Sequence, residues 1–440
     1  MTQTSGSTRP SPARVGAASL IGTTVEYYDF AIYSLAAALV FPNVFFTDND
    51  PFIASILALG TFAVGFIARP LGGIFFGHFG DRIGRKRMLV LSLWLMGAVT
   101  VIIGLLPGYE AIGFAAPLLL IILRFAQGFA FGGEWGGAIL LAFETSPKER
   151  RGFFAALPQT GPPAGILLGN LAFLGVAQLP DEQLYSWGWR IPFLLSAVLV
   201  IIGLAIRAGI AESGEFTDVK KAGAVAKAPI LEVFAKNKRE IFLVAGAFLG
   251  YGSLSLIAIN FLVSYGTSDA VGFTRSEMLT AVLISNVAQL LTTPLGGYFA
   301  DKYGFTKVMA TSVFGAMVGA VFLIVAVQSG NLALVIVGYL LCMSVFFSLG
   351  YGAQGALFGG AFGPEVRYTG MSVGFQVSNV LGSAISPLVA TLLLRETGTV
   401  YSIILYLLVV LGISAVTTFV LIRGLPTASS SQLEAKALAK

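Results

Sequence analysis

The sequence is poor in the residues on which most enzyme chemistry depends. Its 440 residues include one cysteine, Cys342, and one histidine, His78, and only 11% of them carry a charge. A single cysteine excludes an internal disulfide framework and a Cys-based metal site. No nucleophile–base set, metal cluster or cofactor fingerprint stands out, so neither an enzyme nor a bound cofactor or metal is expected. Residues 1–14 are polar and the apolar segment behind them is long enough to stay as a helix, so no cleavable leader is expected. The residues from Pro426 onward read as a short polar tail, without sustained coiled-coil heptads.

What is abundant is apolar surface. The chain is 56% hydrophobic with a mean hydropathy of +0.84, more than an ordinary soluble fold can hide from water. Its natural partner is a lipid bilayer. The 53 glycines and 35 phenylalanines suit closely packed helices with aromatic rings filling the gaps. Crossing about 30 Å of hydrocarbon takes roughly 20 residues of helix. Runs of that length are predicted near 16–42, 53–79, 86–106, 116–143, 152–177, 189–208, 240–265, 277–299, 307–328, 332–359, 369–394 and 399–423. The formal charge of +5 does not indicate nucleic acid, because it follows membrane topology. Basic residues gather in alternate loops, at Arg82, Arg85, Lys86 and Arg87, at Lys148, Arg150 and Arg151, at Lys302 and Lys307, and between Arg207 and Arg239. The opposite loops carry Asp48, Asp50, Glu110, Asp181 and Glu182, and the bias predicts both termini in the cytoplasm. The polar stretch 209–238 is too short for a core of its own and reads as a linker between halves.

A loop pattern occurs twice, half a chain apart: GHFGDRIGRKR from Gly77 to Arg87 and GYFADKYGFTK from Gly297 to Lys307. Both follow Gly-x-x-x-Asp-(Arg/Lys)-x-Gly. Two related halves that rock about a shared site are a physical arrangement for transport. The motif puts an acid at the end of one helix and cations at the start of the next, which suits a latch to Arg or to helix amino-terminal groups. Gly77, Asp81, Arg82, Gly84, Arg85, Asp301 and Gly304 are therefore candidate gating residues. Phe305 and Thr306 replace Arg85 and Lys86 in the second copy, so the first loop is expected to matter more.

Ionisable groups inside apolar spans are costly and usually face a cavity or a partner. The first span holds Glu26 and Asp29, which share a helical sector about 60° wide with Tyr33. Arg69 interrupts the second, and the fourth presents Arg124, Gln127, Phe131 and Glu134 on one face. Arginine keeps its charge and grips carboxylates with a planar fork, making Arg69 and Arg124 candidate anion anchors. Glu26, Asp29 and Glu134 are candidate proton carriers. Permanent ion pairs that only fix helix packing are the alternative for all five. Spans of the second half offer neutral groups instead, namely Tyr251, Asn260, Asn286, Gln289, Gln354, Gln376 and Asn379. Tyr33, Gln127, Asn260, Gln354 and Gln376 are taken as candidate substrate contacts. His78 is expected to make only a local bond, and Trp187, Trp189 and Arg190 look like an interfacial anchor.

The paired loop motif resembles the signature of the major facilitator superfamily. GFIARPLGG, GHFGDRIGRKR, RFAQGFAFGGEWGGA, SWGWRIPF and EYYDF resemble its metabolite:proton symporter branch. The resemblance implies an all-α integral membrane protein of twelve transmembrane helices in two pseudo-symmetric six-helix bundles, 1–208 and 239–425, joined by the linker 209–238 and followed by a tail, 426–440. It implies a monomer in a bacterial inner membrane that imports a small organic anion with a proton, from a range spanning shikimate, dicarboxylates, citrate, aromatic acids, proline and betaine. Functional positions carry over at Asp29, Arg69, Asp81, Arg124 and Glu134. The absence of a long carboxy-terminal coiled coil departs from some osmosensing relatives, and LPQTGPPAG only partly resembles the antiporter pattern. Two other readings stay open: an importer of zwitterionic osmolytes held by Tyr27, Tyr28 and Tyr33, and a non-transporting sensor.

Overall fold

The computed structural model describes residues 11–48 and 50–425. The predicted tail, 426–440, and the first ten residues of the predicted amino-terminal half lie outside the described residues. The described residues form helices and connecting loops, with no strand among them. In the first half the longer ones are α1 (Pro12–Leu39), α2 (Pro51–Ile83), α3 (Arg85–Leu105), α4 (Ala115–Thr145), α5 (Arg151–Gln159), α6 (Gly161–Val176) and α7 (Asp181–Ala208). Two short helices follow, α8 (Gly214–Lys221) and α9 (Pro229–Lys236). The second half contains α10 (Lys238–Gly266), α11 (Arg275–Tyr303), α12 (Phe305–Gln328), α13 (Leu332–Gly359), α14 (Arg367–Thr397) and α15 (Tyr401–Gly424).

Ten of these helices are long and apolar enough to cross a membrane. Neither α1 nor the α5–α6 pair is among them, for different reasons. Although α1 runs for 28 residues, Glu26, Asp29 and its hydroxylated side chains lower its hydropathy. The predicted run 152–177 is divided at Thr160, between Pro158 and the Pro162–Pro163 pair, which cannot donate to the helical ladder. Each piece is then shorter than a span, although they continue one another.

Glycine sets the helix spacing. At Gly132 on α4 the carbonyl oxygen of Arg69 occupies the place a Cβ would take, and at Gly72 on α2 the carbonyl of Phe129 does the same. The second half repeats this contact between α11 and α13, where Gly296 meets the Leu349 carbonyl and Gly352 meets that of Thr293. Backbone contact this close maximises dispersion in a solvent that provides little hydrophobic drive between helices. The halves touch mainly where α2 meets α14 and where α5 meets α11 and α13. Large apolar side chains such as Ile67, Leu291 and Val318 are exposed on the outside, as a lipid-facing surface requires.

The stretch 209–238 does more than join halves. Phe216 and Val233 are buried, and Ser213 caps α8 by accepting from the Phe216 amide. Trp189 departs from the predicted interfacial anchor: it is fully buried among Phe41, Phe45 and Phe193, leaving only Trp187 exposed. Arg190 instead donates to the Gly104 and Leu106 carbonyls at the end of α3. Gly132→Val should force α2 and α4 apart and cost about 1–3 kcal/mol, lowering the melting temperature in detergent. Gly175→Ala, at a glycine with open space around the missing Cβ, should leave it unchanged.

Candidate functional site

Four of the predicted ionisable residues converge in the first half. Glu26, Asp29, Arg69 and Arg124, with Gln127 and Phe131, line a small cavity between α1, α2 and α4 that has room for roughly one water. A relay crosses it. Arg124 Nη1 donates to Gln127 Oε1 at 2.6 Å, Gln127 Nε2 donates to Thr100 Oγ1 at 2.8 Å, and Thr100 donates to Asp29 Oδ2 at 2.7 Å. Ser196 on α7 donates to the other Asp29 oxygen at 2.5 Å. Asp29 is thus held by two hydroxyls and reaches a cation only through two neutral side chains. The Arg124 guanidinium lies 4.0 Å from the centre of the Tyr33 ring, whose hydroxyl donates to Thr61 at 2.7 Å.

Arg69 and Glu26 are less completely satisfied. The Arg69 guanidinium sits 3.7 Å from the Phe131 ring centre and 4.0 Å from that of Phe66, and its Nε has no partner. No carboxylate lies within ion-pair distance of it among the described residues. Ring faces offset roughly 0.5–2 kcal/mol per contact, while an unpaired buried ion costs several. Both carboxylate oxygens of Glu26 are buried without a hydrogen-bond partner. Such atoms are rare in native proteins and call for an explanation.

Glu134 is placed differently from its predicted companions. It pairs with Arg207 of α7 through both carboxylate oxygens, with Arg207 Nη1 at 3.1 Å from Oε2, and it accepts from Ser92 at 2.8 Å. Arg207 also donates to the Leu89 carbonyl at 2.6 Å. The pair is a closed, buried bridge apart from the cavity, and sequence alone had grouped Arg207 with the loop cations.

A second polar layer lies where the halves meet. Gln376 on α14 donates to the Gly132 carbonyl at 3.1 Å, and Gln354 on α13 donates to that of Ala247 at 3.2 Å. Gln159 on α5, missed by sequence reasoning, donates to the Tyr351 carbonyl. All three amide oxygens are buried without a donor. Trp135 stacks on Phe375 at 3.5 Å between ring centres, another cross-half contact the sequence did not announce. Asn260 is exposed in the π-helical turn Ile257–Phe261 and bonds to none of these groups. His78 is half-buried, with its ring edge-on to Phe79.

The repeated loops make the same contact twice. Asp81 accepts from the Tyr368 and Thr369 amides at 3.2 and 2.8 Å and from the Thr369 hydroxyl at 2.7 Å, capping the start of α14. Asp301 accepts from the Gly152 and Phe153 amides at 2.7 and 2.8 Å, capping α5. In each case an acid of one half holds the positive end of a helix in the other. Gly77 lets α2 approach Thr369, Gly84 and Gly304 take φ of +120° and +89°, and Arg82 is exposed.

Around the first loop the cap is extended by ions. Arg85 lies 3.3 Å from Asp81 and 3.4 Å from Glu144, and donates to the Pro364 carbonyl at 2.6 Å. Arg367 joins Glu144 at 3.1 Å and Glu215 at 2.6 Å, and Glu215 also pairs with Arg151. Glu212 accepts from the Arg85 amide at 3.2 Å and the Lys86 amide at 3.3 Å at the start of α3. Burial opposes the charge of Glu215, but Arg367 and Arg151 outweigh it and hold its carboxyl below the ordinary value. A depressed value means that its contribution is present at neutral pH and lost as the pH falls through the lowered value. Phe305 leaves the second loop without a counterpart of Arg85.

Comparison with known proteins follows the same division into halves. Residues 15–241 match the family described as Sugar (and other) transporter, and residues 243–439 match Major Facilitator Superfamily. The chain is 42% identical to the inner membrane metabolite transport protein YhjE of Escherichia coli (strain K12), over 92% of both chains. It is 38% identical to the shikimate transporter of that strain, over 93% of this chain and 94% of that one. Identity to the strain's proline/betaine transporter is 29%, over 95% and 86%. Its fold is like that of the proton:xylose symporter XylE, with a TM-score of 0.73 and 16% identity over 94% and 96% of the two chains. The fucose:proton symporter FucP of E. coli follows at 0.69 and 16%, over 93% and 98%.

Arg207→Met should destabilise the fold by roughly 3–5 kcal/mol because it strands a buried carboxylate. The double replacement Glu134→Leu/Arg207→Met should cost less than the single one, as read from thermal unfolding in detergent.

Proposed function

We propose that this chain, which belongs to the major facilitator superfamily, is a proton-coupled importer of a small organic acid in a bacterial inner membrane. In this reading twelve helices cross the bilayer in two bundles of six, with the α5–α6 pair serving as one crossing, and both termini lie in the cytoplasm. It works as a monomer. The observation that carries the proposal is the pairing of deficiencies in one cavity: Arg69, a buried cation without a carboxylate, beside Glu26, a buried carboxylate without a donor.

A substrate carboxylate supplies what Arg69 lacks, with Arg124 as the second anchor. A proton on Glu26 or Asp29 removes the negative charge that would repel it. Asp29 has a further lever, because Thr100 has one hydrogen, which it gives to Asp29 while accepting from Gln127. Protonated Asp29 becomes a donor to Thr100, whose hydrogen turns to the Met96 carbonyl at 2.9 Å, and the relay that runs on to Gln127 and Arg124 is repolarised. Gln354 and Gln376 of the second bundle, with Gln159 of the first, present amide oxygens without a donor and accept from substrate hydroxyls. The caps at Asp81 and Asp301 hold the cytoplasmic side shut and release when access changes.

The osmolyte reading has less support. A quaternary amine needs open ring faces, but Arg124 already covers Tyr33, Tyr28 is buried, and Tyr27 packs against Phe131. The shikimate transporter among the relatives favours the hydroxylated-acid reading.

Proteoliposomes given shikimate, 2-oxoglutarate, citrate, benzoate, proline and betaine in turn should alkalinise the outside with one of the acids. Arg69→Gln should abolish that signal while remaining in the membrane; a response confined to proline or betaine would sink the organic-acid reading. Asp81→Ala removes three hydrogen bonds to a charged acceptor, each contributing about 1.5–3 kcal/mol. It should raise the population open to the cytoplasm at least about tenfold, measured as spin-label distances between α2 and α14; an unchanged distribution would remove the latch.

A further inference from the structure

On the outer surface of the first half, residues of α3 and α7 line a groove of about 620 Å³, within the size range of small-ligand sites. Its wall changes character along its length. At one end stand Lys86 and Arg87, in the first turn of α3; further along are Leu91 and Trp94 of α3 and Leu204 of α7. Residues 87, 91 and 94 recur at helical spacing and form one stripe, with about 10 Å of rise between Arg87 and Trp94. Trp94 is 56% exposed and Leu91 39%. A cationic rim above an exposed apolar channel matches a molecule with an anionic head and a hydrocarbon tail.

The cations are also positioned for such a head. Lys86 Nζ donates to the Ala208 carbonyl at 3.0 Å, which brings the ammonium to the α7 side of the groove and leaves two of its N–H donors. Arg87 is exposed and has no ion pair among the described residues. Glu212, the nearby acid, is occupied by the Arg85, Lys86 and Ser213 amides. The repeat supplies an internal contrast, since Thr306 and Lys307 stand where the first loop has Lys86 and Arg87. The paired cations occur in one half only.

We propose that the groove between α3 and α7 binds an anionic phospholipid of the cytoplasmic leaflet, its phosphate on Lys86 and Arg87 and one acyl chain over Leu91, Trp94 and Leu204. The choice of leaflet rests on the topology given under Proposed function; the site itself does not. A basic residue at a membrane surface favours an anionic lipid by about fivefold, so the pair should give roughly 25-fold selectivity over a zwitterionic lipid. Neither residue belongs to the caps or to the cavity.

The test uses the full chain in nanodiscs of phosphatidylcholine, where both leaflets have the same composition, titrated with brominated phosphatidylglycerol or brominated phosphatidylcholine. Bromine quenches tryptophan on contact, and Trp94→Phe identifies the Trp94 contribution. Quenching of Trp94 by the anionic lipid is expected at a mole fraction roughly 25-fold lower. In Lys86→Gln/Arg87→Gln this advantage should vanish while quenching by brominated phosphatidylcholine remains. Equal quenching by both lipids in the natural chain would overturn the site, as would an advantage that survives the double substitution. Loss of quenching by both lipids in the double variant would overturn it too, because the cations would then shape the groove. An excess of inorganic phosphate should leave the signal intact; displacement would mean a free-anion site. Labelling of Arg82→Cys in cells by an impermeant thiol reagent from outside would overturn the choice of leaflet and leave the lipid site standing.

Discussion

An ion inside hydrocarbon must find its compensation within the protein, and the architecture follows from how each buried charge here meets that demand. Glu134 and Arg207 compensate each other directly. Asp29 is compensated by hydroxyls and, through Thr100 and Gln127, by Arg124. Arg69 has only aromatic faces, and Glu26 has no hydrogen bond. The series runs from a closed bridge to open demand. A closed bridge serves as a fixed joint between α4 and α7, whereas the open pair has affinity left for something that arrives. Equal burial therefore does not imply equal purpose.

The same economy governs the contact between the halves. Within each half, glycines bring helices so close that carbonyl oxygens lie where side chains would start, and such surfaces resist sliding. Between the halves the described caps are polar, Asp81 on α14 and Asp301 on α5, and beside the second cap Gly152 of α5 and Gly297 of α11 also bring backbone into contact. Hydrogen bonds from amides can be exchanged for bonds to water, while packed backbone cannot be parted without opening a void. A rocking motion has to exchange those hydrogen bonds for water and also part the backbone contact of Gly152 with Gly297. The ion network of Arg85, Glu144, Arg367 and Glu215 is built on the Asp81 cap and reaches the start of α5 only through Arg151, so the two sides of the interface are held with unequal strength.

Much of this was legible in the sequence because membrane chemistry makes rare residues informative. Asp81 and Asp301 were visible as a repeat, and Glu26, Asp29, Arg69 and Arg124 as charges in apolar runs. Partners were harder to read. Arg207 lies at the end of a span, where positive charge is the ordinary topological signal, so nothing marked it as the mate of Glu134. Thr100 and Ser196 are small hydroxyls of a kind scattered throughout such helices. Asn260 shows that a polar residue in a span need not join the other candidates, since it is exposed at a π-helical turn and bonds to none of them. Trp189 looked interfacial from its neighbours Trp187 and Arg190, but only contact with Phe41 and Phe193 reveals it as core.

In the proposed cycle, Glu26 has a stronger case than Asp29 as the group through which substrate feels the proton. Asp29 lines the same cavity but has two hydroxyl donors that offset its charge, so an arriving anion disturbs it less than it disturbs Glu26. Glu26 shares the cavity with Arg69 and has no donor of its own. A carboxylate arriving at Arg69 places a second negative charge beside Glu26, and in a low-dielectric site such repulsion is large. A proton on Glu26 abolishes it, so anion and proton are each bound better in the presence of the other. By reciprocity, whatever factor the proton adds to substrate affinity, the substrate adds to proton affinity. The cavity then carries a neutral pair through the change of access, which neither ligand achieves alone. Coupling in this scheme needs no contact between substrate and the latches, only that the halves close more readily around a site whose charge is balanced.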